Sequence, residues 1–193
     1  GPAPPFVVHA FEVVSVLQTD LVGFTALART MEAEEVLRML NDLFGSFDQL
    51  VSQHRVFKME TVGDAYICAS GLPDFAGGEH RPQALLQLAL DVHAAVAQYG
   101  ASMGFKLGLR AGLHAGPAIG GVVGTTMQRY HLFGSTMNAS ERLEATAPTG
   151  GLHLSDAARR GLEEALAGAP PRSAAGDVLD LQPVPPGGLR TSK

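Results

Sequence analysis

The sequence predicts an α/β domain in which a mixed sheet is covered by helices. Three observations carry this. Short apolar, β-branched runs alternate with long segments of helical spacing. Tight turns join some of those runs, which calls for antiparallel hairpins within the sheet. The chain has 193 residues, 46% of them hydrophobic and 17% charged, which suits one globular domain with a short tail.

Taken in order, Val13, Val14, Val16 and Leu17 form an apolar run ending at Thr19-Asp20, with the length and β-branching of a buried strand. A turn through Leu21-Val22-Gly23-Phe24 leads into a helix starting near Thr25. From Ala33 to Ser52, residues Val36, Leu40, Leu43, Phe47 and Leu50 recur at steps of three and four, the stripe of an amphipathic helix. Arg55 to Glu60 and Ala65 to Ser70 predict two strands joined by a tight hairpin at Thr61-Val62-Gly63-Asp64. Gly71 to Glu79 is loop, rich in Gly, Pro and Asp.

Pro82 to Tyr99 predicts a second long helix, with Leu85, Leu88, Val92 and Val96 on one stripe. Leu107, Leu109, Ala111 and Leu113 alternate in a strand from Lys106 to His114. Gly116-Pro117 predicts a turn, after which Ala118 to Val123 returns as the second arm of a hairpin. Tyr130 to Phe133 is a short apolar piece, Thr136 to Ala145 a third helix and Leu152 to Leu154 a strand. A helix capped by Ser155 runs to about Leu166. From Gly168 the composition shifts to Pro, Gly and Ala, with an edge strand expected at Val178, Leu179 and Leu181. The expected organisation is therefore a domain over 6–168 and a tail over 169–193.

Bulk composition narrows the partners. Net charge is −5 and no Lys/Arg block stands out, so nucleic acid is not expected. An anionic substrate then needs metals or a few placed cations. The single cysteine, Cys68, lies in an apolar run and reads as a small core residue in a reducing compartment, which points to the cytoplasm for this domain and leaves open a membrane anchor elsewhere in a full-length protein. No run of about 18 apolar residues is present, so no membrane contact is expected of this segment. The start, Gly1-Pro2-Ala3-Pro4-Pro5, has no basic region followed by an apolar one, so no signal peptide is expected in this segment.

Asp20 ends a strand before a Gly-containing turn, where backbone N–H groups can cradle phosphate. Asp64 follows Gly63 on a hairpin. Two carboxylates at neighbouring strand ends suit a pair of Mg²⁺ ions, which take hard oxygen ligands and complete their shells from substrate phosphates. Taken singly, Asp20 reads as a helix cap and Asp64 as a turn residue.

The words around them are more specific. Thr19-Asp20-Leu21-Val22-Gly23-Phe24-Thr25 is followed by Glu60-Thr61-Val62-Gly63-Asp64-Ala65-Tyr66 with Ser70-Gly71-Leu72-Pro73. Then come Gly112-Leu113-His114-Ala115-Gly116-Pro117 and Tyr130-His131-Leu132-Phe133-Gly134-Ser135-Thr136-Met137-Asn138. Together they resemble the class III adenylate/guanylate cyclase catalytic domain, most of all the soluble and eukaryotic-type guanylate cyclases. The resemblance runs from about Val13 to Leu166.

The resemblance implies a ferredoxin-like fold acting as a head-to-tail dimer, as a homodimer or with a paralogue. It implies that Asp20, Asp64 and the carbonyl of Leu21 bind two Mg²⁺ or Mn²⁺ ions. The ribose 3′-OH of a nucleoside triphosphate then attacks the α-phosphorus and pyrophosphate leaves. Gly23, Phe24 and Thr25 would border the phosphates. The other subunit would supply Asn138, which orients the ribose, and Arg142, which neutralises transition-state charge. These two stand at i and i+4, on one helix face. Arg110 matches a family arginine near the terminal phosphates.

For the base, the position of Glu60 is Glu in guanylate cyclases and Lys in adenylate cyclases, so it argues for GTP. His131 matches neither the Cys of the first nor the Asp or hydroxyl residue of the second; a neutral imidazole can donate to guanine O6 or simply pack. ATP therefore stays as the alternative substrate. The family's C-terminal triphosphate-binding Lys is missing, with Arg172 and Arg190 as the nearest cations, which leaves room for a weakly active module that dimerises and regulates a partner.

Overall fold

The computed structural model describes residues 8–73, 78–124 and 128–166. Eleven elements follow in order among them: β1 (Val8–Val22), α1 (Phe24–Ala28), α2 (Ala33–His54), β2 (Phe57–Val62), β3 (Ala65–Ser70), α3 (Pro82–Met103), β4 (Gly108–Val123), β5 (Arg129–Phe133), α4 (Ser135–Thr146), β6 (Leu152–Leu154) and α5 (Asp156–Ala165). The expected strand at Val178, Leu179 and Leu181 lies outside the described residues, as do Arg172 and Arg190.

The strands form one mixed sheet in the order β2-β3-β1-β4-β5. Neighbours along that path are antiparallel, and β6 pairs parallel with β4 at Ala111–Leu113. The α/β class with a mixed sheet holds. On one face, Leu17, Leu21, Cys68, Leu109 and Leu113 pack against the stripe Met39, Leu43, Phe47 and Val51 of α2, against Leu85, Leu88, Val92 and Val96 of α3, and against Ala158 and Leu162 of α5. The α2 stripe thus runs at steps of four: of the expected set Leu43 and Phe47 belong to it, while Val36, Leu40 and Leu50 lie at its margin and Met39 and Val51 are the buried positions. Ser155 caps α5 as expected, its hydroxyl accepting from the Ala158 N–H at 3.0 Å.

On the opposite face Val14, Val16, Ile67, Ala69, Ala118 and Leu132 form a smaller core. Gln18 and Asp20 continue the Val14–Val16 alternation on that face, since side chains two apart along a strand share a side. α4 lies here, seated where a Cβ on Gly112 would overlap the backbone nitrogen of Glu144 and the carbonyl oxygen of Ser140. Only glycine lets the helix come this close to β4.

One expectation is corrected. Gly116-Pro117 is not a turn, and Ala118–Val123 does not fold back on Lys106–His114: β4 is one strand through both. The proline fits because its neighbourhood lacks ladder partners. β1 shifts register between Phe11 and Val14, so Glu12 and Val13 lie opposite Pro117 outside the regular pairing. On the other edge β5 begins only at Ile119 and β6 stops at Leu113. The Pro117 carbonyl instead accepts from the Thr136 hydroxyl at 2.7 Å.

Candidate active site

Strand register brings the charged groups together. Asp20 on β1 lies opposite Ala65 of β3 on one side and Arg110 of β4 on the other. Asp64 precedes Ala65 in the two-residue turn that joins β2 to β3, where Gly63 takes φ 61°. Three strands thus place Asp64, Asp20 and Arg110 in a row. With Leu21, Val22, Gly23, Thr25 and Ala26 they line a cleft of about 480 Å³. Phe24 is the exception among the predicted turn residues: its ring packs on the main core, leaving Gly23 and Thr25 at the cleft. Gly23 takes φ 88°, the left-handed conformation that turns the chain into α1.

Arg110 Nη2 donates to Asp20 Oδ2 at 2.7 Å. Its Nε lies 3.1 Å from Glu144 Oε1 of α4. The Asp64 carboxyl is held above the usual carboxylate range, first by burial and then by the charge of Asp20. Two carboxylates that repel each other in a cleft are a site short of positive charge. Among the described residues no third His, Cys, Asp or Glu completes a metal cluster around them. That donor set fits hard cations that draw their remaining ligands from phosphate and water, the habit of Mg²⁺, and does not fit a closed structural zinc site.

Asn138 and Arg142 sit elsewhere. They share one face of α4 and, with Ser135, Glu141 and Ala145, line a second cleft of about 400 Å³. The two clefts have no lining residue in common. α4 is fixed in front of the sheet by Gln18, whose Nε2 donates to the Ser140 hydroxyl at 2.9 Å and to the Met137 carbonyl at 3.1 Å. Sequence reasoning passed over Gln18 and Glu144. Gln18 had a readable signal, a large polar residue two positions before Asp20 inside an apolar strand. Glu144 had none, because nothing in a helix of mixed polarity marks the turn that meets β4.

Glu60 and His131 occupy the two edge strands of the sheet, β2 and β5. A register shift between Lys58 and Glu60 changes which way the strand points its side chains. Lys58 pairs with Cys68 and reaches Asp48 of α2 at 2.6 Å. One extra residue, Met59, then places Glu60 opposite Ile67, on the face that carries Asp20 and α4. Without the bulge, Lys58 and Glu60 would share the α2 face. His131 lies opposite Gly121 and beside Phe133, ring centroids 6.2 Å apart.

A sheet backed by helices on one face, with α4 and paired carboxylates on the other, defines an α/β domain of the nucleotide cyclase kind. The sequence model of the adenylate and guanylate cyclase catalytic domain matches residues 6–173, and the chain belongs to that family. It is 40% identical over 147 residues to guanylyl cyclase C of Mus musculus, covering 75% of this chain and 14% of that protein. The chain thus spans a small part of the curated relatives it matches. Among solved structures it is similar to the guanylate cyclase domain of RhGC from Catenaria anguillulae in complex with GTP, with TM-score 0.74 and 27% identity over 84% of this chain and 86% of that one. It is equally similar to a non-canonical dimeric guanylyl cyclase domain of the RhoGC fusion protein from Blastocladiella emersonii, with TM-score 0.74 and 27% identity over 81% and 86%. No described helix is long and apolar enough to cross a membrane.

Proposed function

We propose that the domain converts GTP to 3′,5′-cyclic GMP and pyrophosphate at sites shared between two copies of the chain. One observation carries the reading: on a single chain the Asp20–Asp64 cleft and the Asn138–Arg142 cleft are separate, and each holds half of what the reaction needs. The GTP-bound relative described above supports the choice of nucleotide.

In this reading Asp20, Asp64 and the Leu21 carbonyl hold two Mg²⁺ or Mn²⁺ ions, which supply Lewis acidity at the ribose hydroxyl and the triphosphate. Backbone N–H groups of the Gly23–Thr25 turn donate to phosphate oxygens. Asn138 of the second chain orients the ribose, so that O3′ bonds to the α-phosphorus as the bond to the pyrophosphate oxygen breaks, and the hydroxyl proton passes to solvent. Arg142 of the second chain meets the charge that builds on the equatorial oxygens, where a fixed cation lowers the barrier most. Arg110 orients Asp20 and adds positive charge beside the phosphates. Glu60 accepts from guanine N1–H and N2–H₂, and His131 donates to O6.

The test is product formation by purified protein with GTP or ATP and Mg²⁺ or Mn²⁺. Faster cyclic GMP is expected; faster cyclic AMP overturns the choice of base. No product from either triphosphate makes the domain a dimerising regulatory module. Mixing Asp20→Ala with Asn138→Ala, each inactive alone, is expected to restore activity, because one hybrid site then has every group; no recovery counts against shared sites.

A further inference from the structure

Glu144 is the acidic group for which the reading above has no use. Its side chain is only 12% exposed, and burial pushes its carboxyl up while Arg110 pulls it down. It stands two residues past Arg142, on the turn of α4 that lies against Gly112. Its Oε1 is 3.1 Å from Arg110 Nε, an ion pair whose N–H is not aimed at the oxygen. Arg110 in turn touches Asp20 through the single donor Nη2. A guanidinium facing one carboxylate alone tends to engage it with two parallel N–H groups. Here the Nε edge is turned to Glu144, so Asp20 is held by one oxygen and keeps Oδ1.

We propose that Glu144 is a positioning residue: by holding Arg110 it keeps Asp20 singly engaged and open to a divalent cation, so each α4 serves the site of its own chain while Asn138 and Arg142 serve the other. This rests on the shared-site reading. Without the Glu144 charge, Arg110 is free to clasp both oxygens of Asp20 and the cleft becomes more positive; both effects oppose cation binding.

The test uses the mixed dimer of Asp20→Ala and Asn138→Ala chains, in which one site works. Glu144→Gln placed in the Asn138→Ala chain, the donor of Asp20, is expected to raise the Mn²⁺ requirement about tenfold, the scale of losing an outer-shell partner. Placed in the Asp20→Ala chain it is expected to change it less than about twofold. Equal effects in both chains, or none in either, overturn the proposal. If the parent mixed dimer makes no product, the shared-site reading has failed. Glu144 is then judged by Mn²⁺ affinity of the unmixed protein with a non-hydrolysable triphosphate, read from the free-Mn²⁺ electron paramagnetic resonance signal. Unchanged affinity in Glu144→Gln overturns it. Should that variant fail to fold, Glu144→Asp, which withdraws the charge by one methylene, is expected to weaken Mn²⁺ binding, and unchanged affinity there is equally fatal.

Discussion

Gln18 and Ser140 are joined by a buried hydrogen bond of 2.9 Å that ties β1 to α4. Gln18 lies two residues before Asp20 on β1, and Ser140 lies between Asn138 and Arg142 on the helix. Replacing Gln18 by Ala removes this bond and the one to the Met137 carbonyl, and leaves a void under the helix. A loss of about 2–3 kcal/mol is expected, lowering Tm by about 5–10 °C. Because Asn138 and Arg142 lose their mounting, kcat is expected to fall about tenfold with a smaller change in KM. A fall in Tm with unchanged kcat would show that the bond serves stability alone.

Asp64 is expected to trade stability for function. Its carboxyl is raised by burial and by Asp20, so in the cation-free fold the charged form is disfavoured. Stability from this group is present below the unfolded value of 3.8 and lost as pH rises through the raised folded one, so the charged form costs stability. Asp64→Asn is therefore expected to raise Tm by about 1–3 °C in EDTA and to abolish product formation. Adding Mn²⁺ with a triphosphate analogue is expected to raise Tm of the parent and not of the variant. A lower Tm for Asp64→Asn in EDTA would contradict the account.

Histidines set the acid limit. His153 is 4% exposed; its Nδ1–H donates to the Leu143 carbonyl at 3.2 Å, and Nε2 has no hydrogen-bond partner among the described residues. His80 lies 2.8 Å from the Ser15 hydroxyl through Nε2. Burial lowers both below the ordinary value of 6.5. Stability is then full above about pH 6.5 and lost as pH falls through the lowered folded values. Tm is expected to drop between pH 7.5 and 5.5, and the drop is expected to shrink by roughly 2 °C in His80→Leu/His153→Leu, whatever its absolute Tm. An unchanged drop would assign the acid sensitivity to other groups.

The choice of base is expected to follow charge at the two edge strands. Glu60→Lys with His131→Asp replaces an acceptor and a donor for guanine by a cation and an acceptor that suits the adenine amino group. The ratio of cyclic AMP to cyclic GMP formed at equal triphosphate is expected to rise by at least about tenfold, the worth of one hydrogen bond to a charged group. A ratio unmoved by the double variant would remove both residues from base reading.

Much of this layout was legible from local patterns. The helix α2, the stripe of α3 and the hairpin at Gly63-Asp64 follow from spacing and turn chemistry, and the same patterns put Asp20 near the end of a strand, which in fact runs on to Val22. What escaped was information held by a distant partner. Pro117 reads as a turn until the irregularity at Glu12 and Val13, across the sheet, supplies the gap that accommodates it. Glu60 reads as one more residue of an alternating strand until the bulge at Met59 turns it to the other face. Glu144 becomes visible only once Gly112 sets how close α4 comes to Arg110.

The pairing of β1 with β4 also governs the order of events during synthesis. Asp20 and Arg110 face each other across the longest excursion in the sheet, from the first strand to the fourth. A nascent chain can pair β1 with β3 as soon as Ser70 has emerged, but the second edge of β1 then stays unmatched until Gly108–Val123 follows. That edge presents unpaired N–H and C=O groups on a strand whose two faces carry Val14, Val16 and Leu17, and an open edge of so apolar a strand recruits other chains. Slow closure of so distant a pair lengthens the exposure. Truncations ending before Gly108 are therefore expected to aggregate rather than to persist as half-built sites.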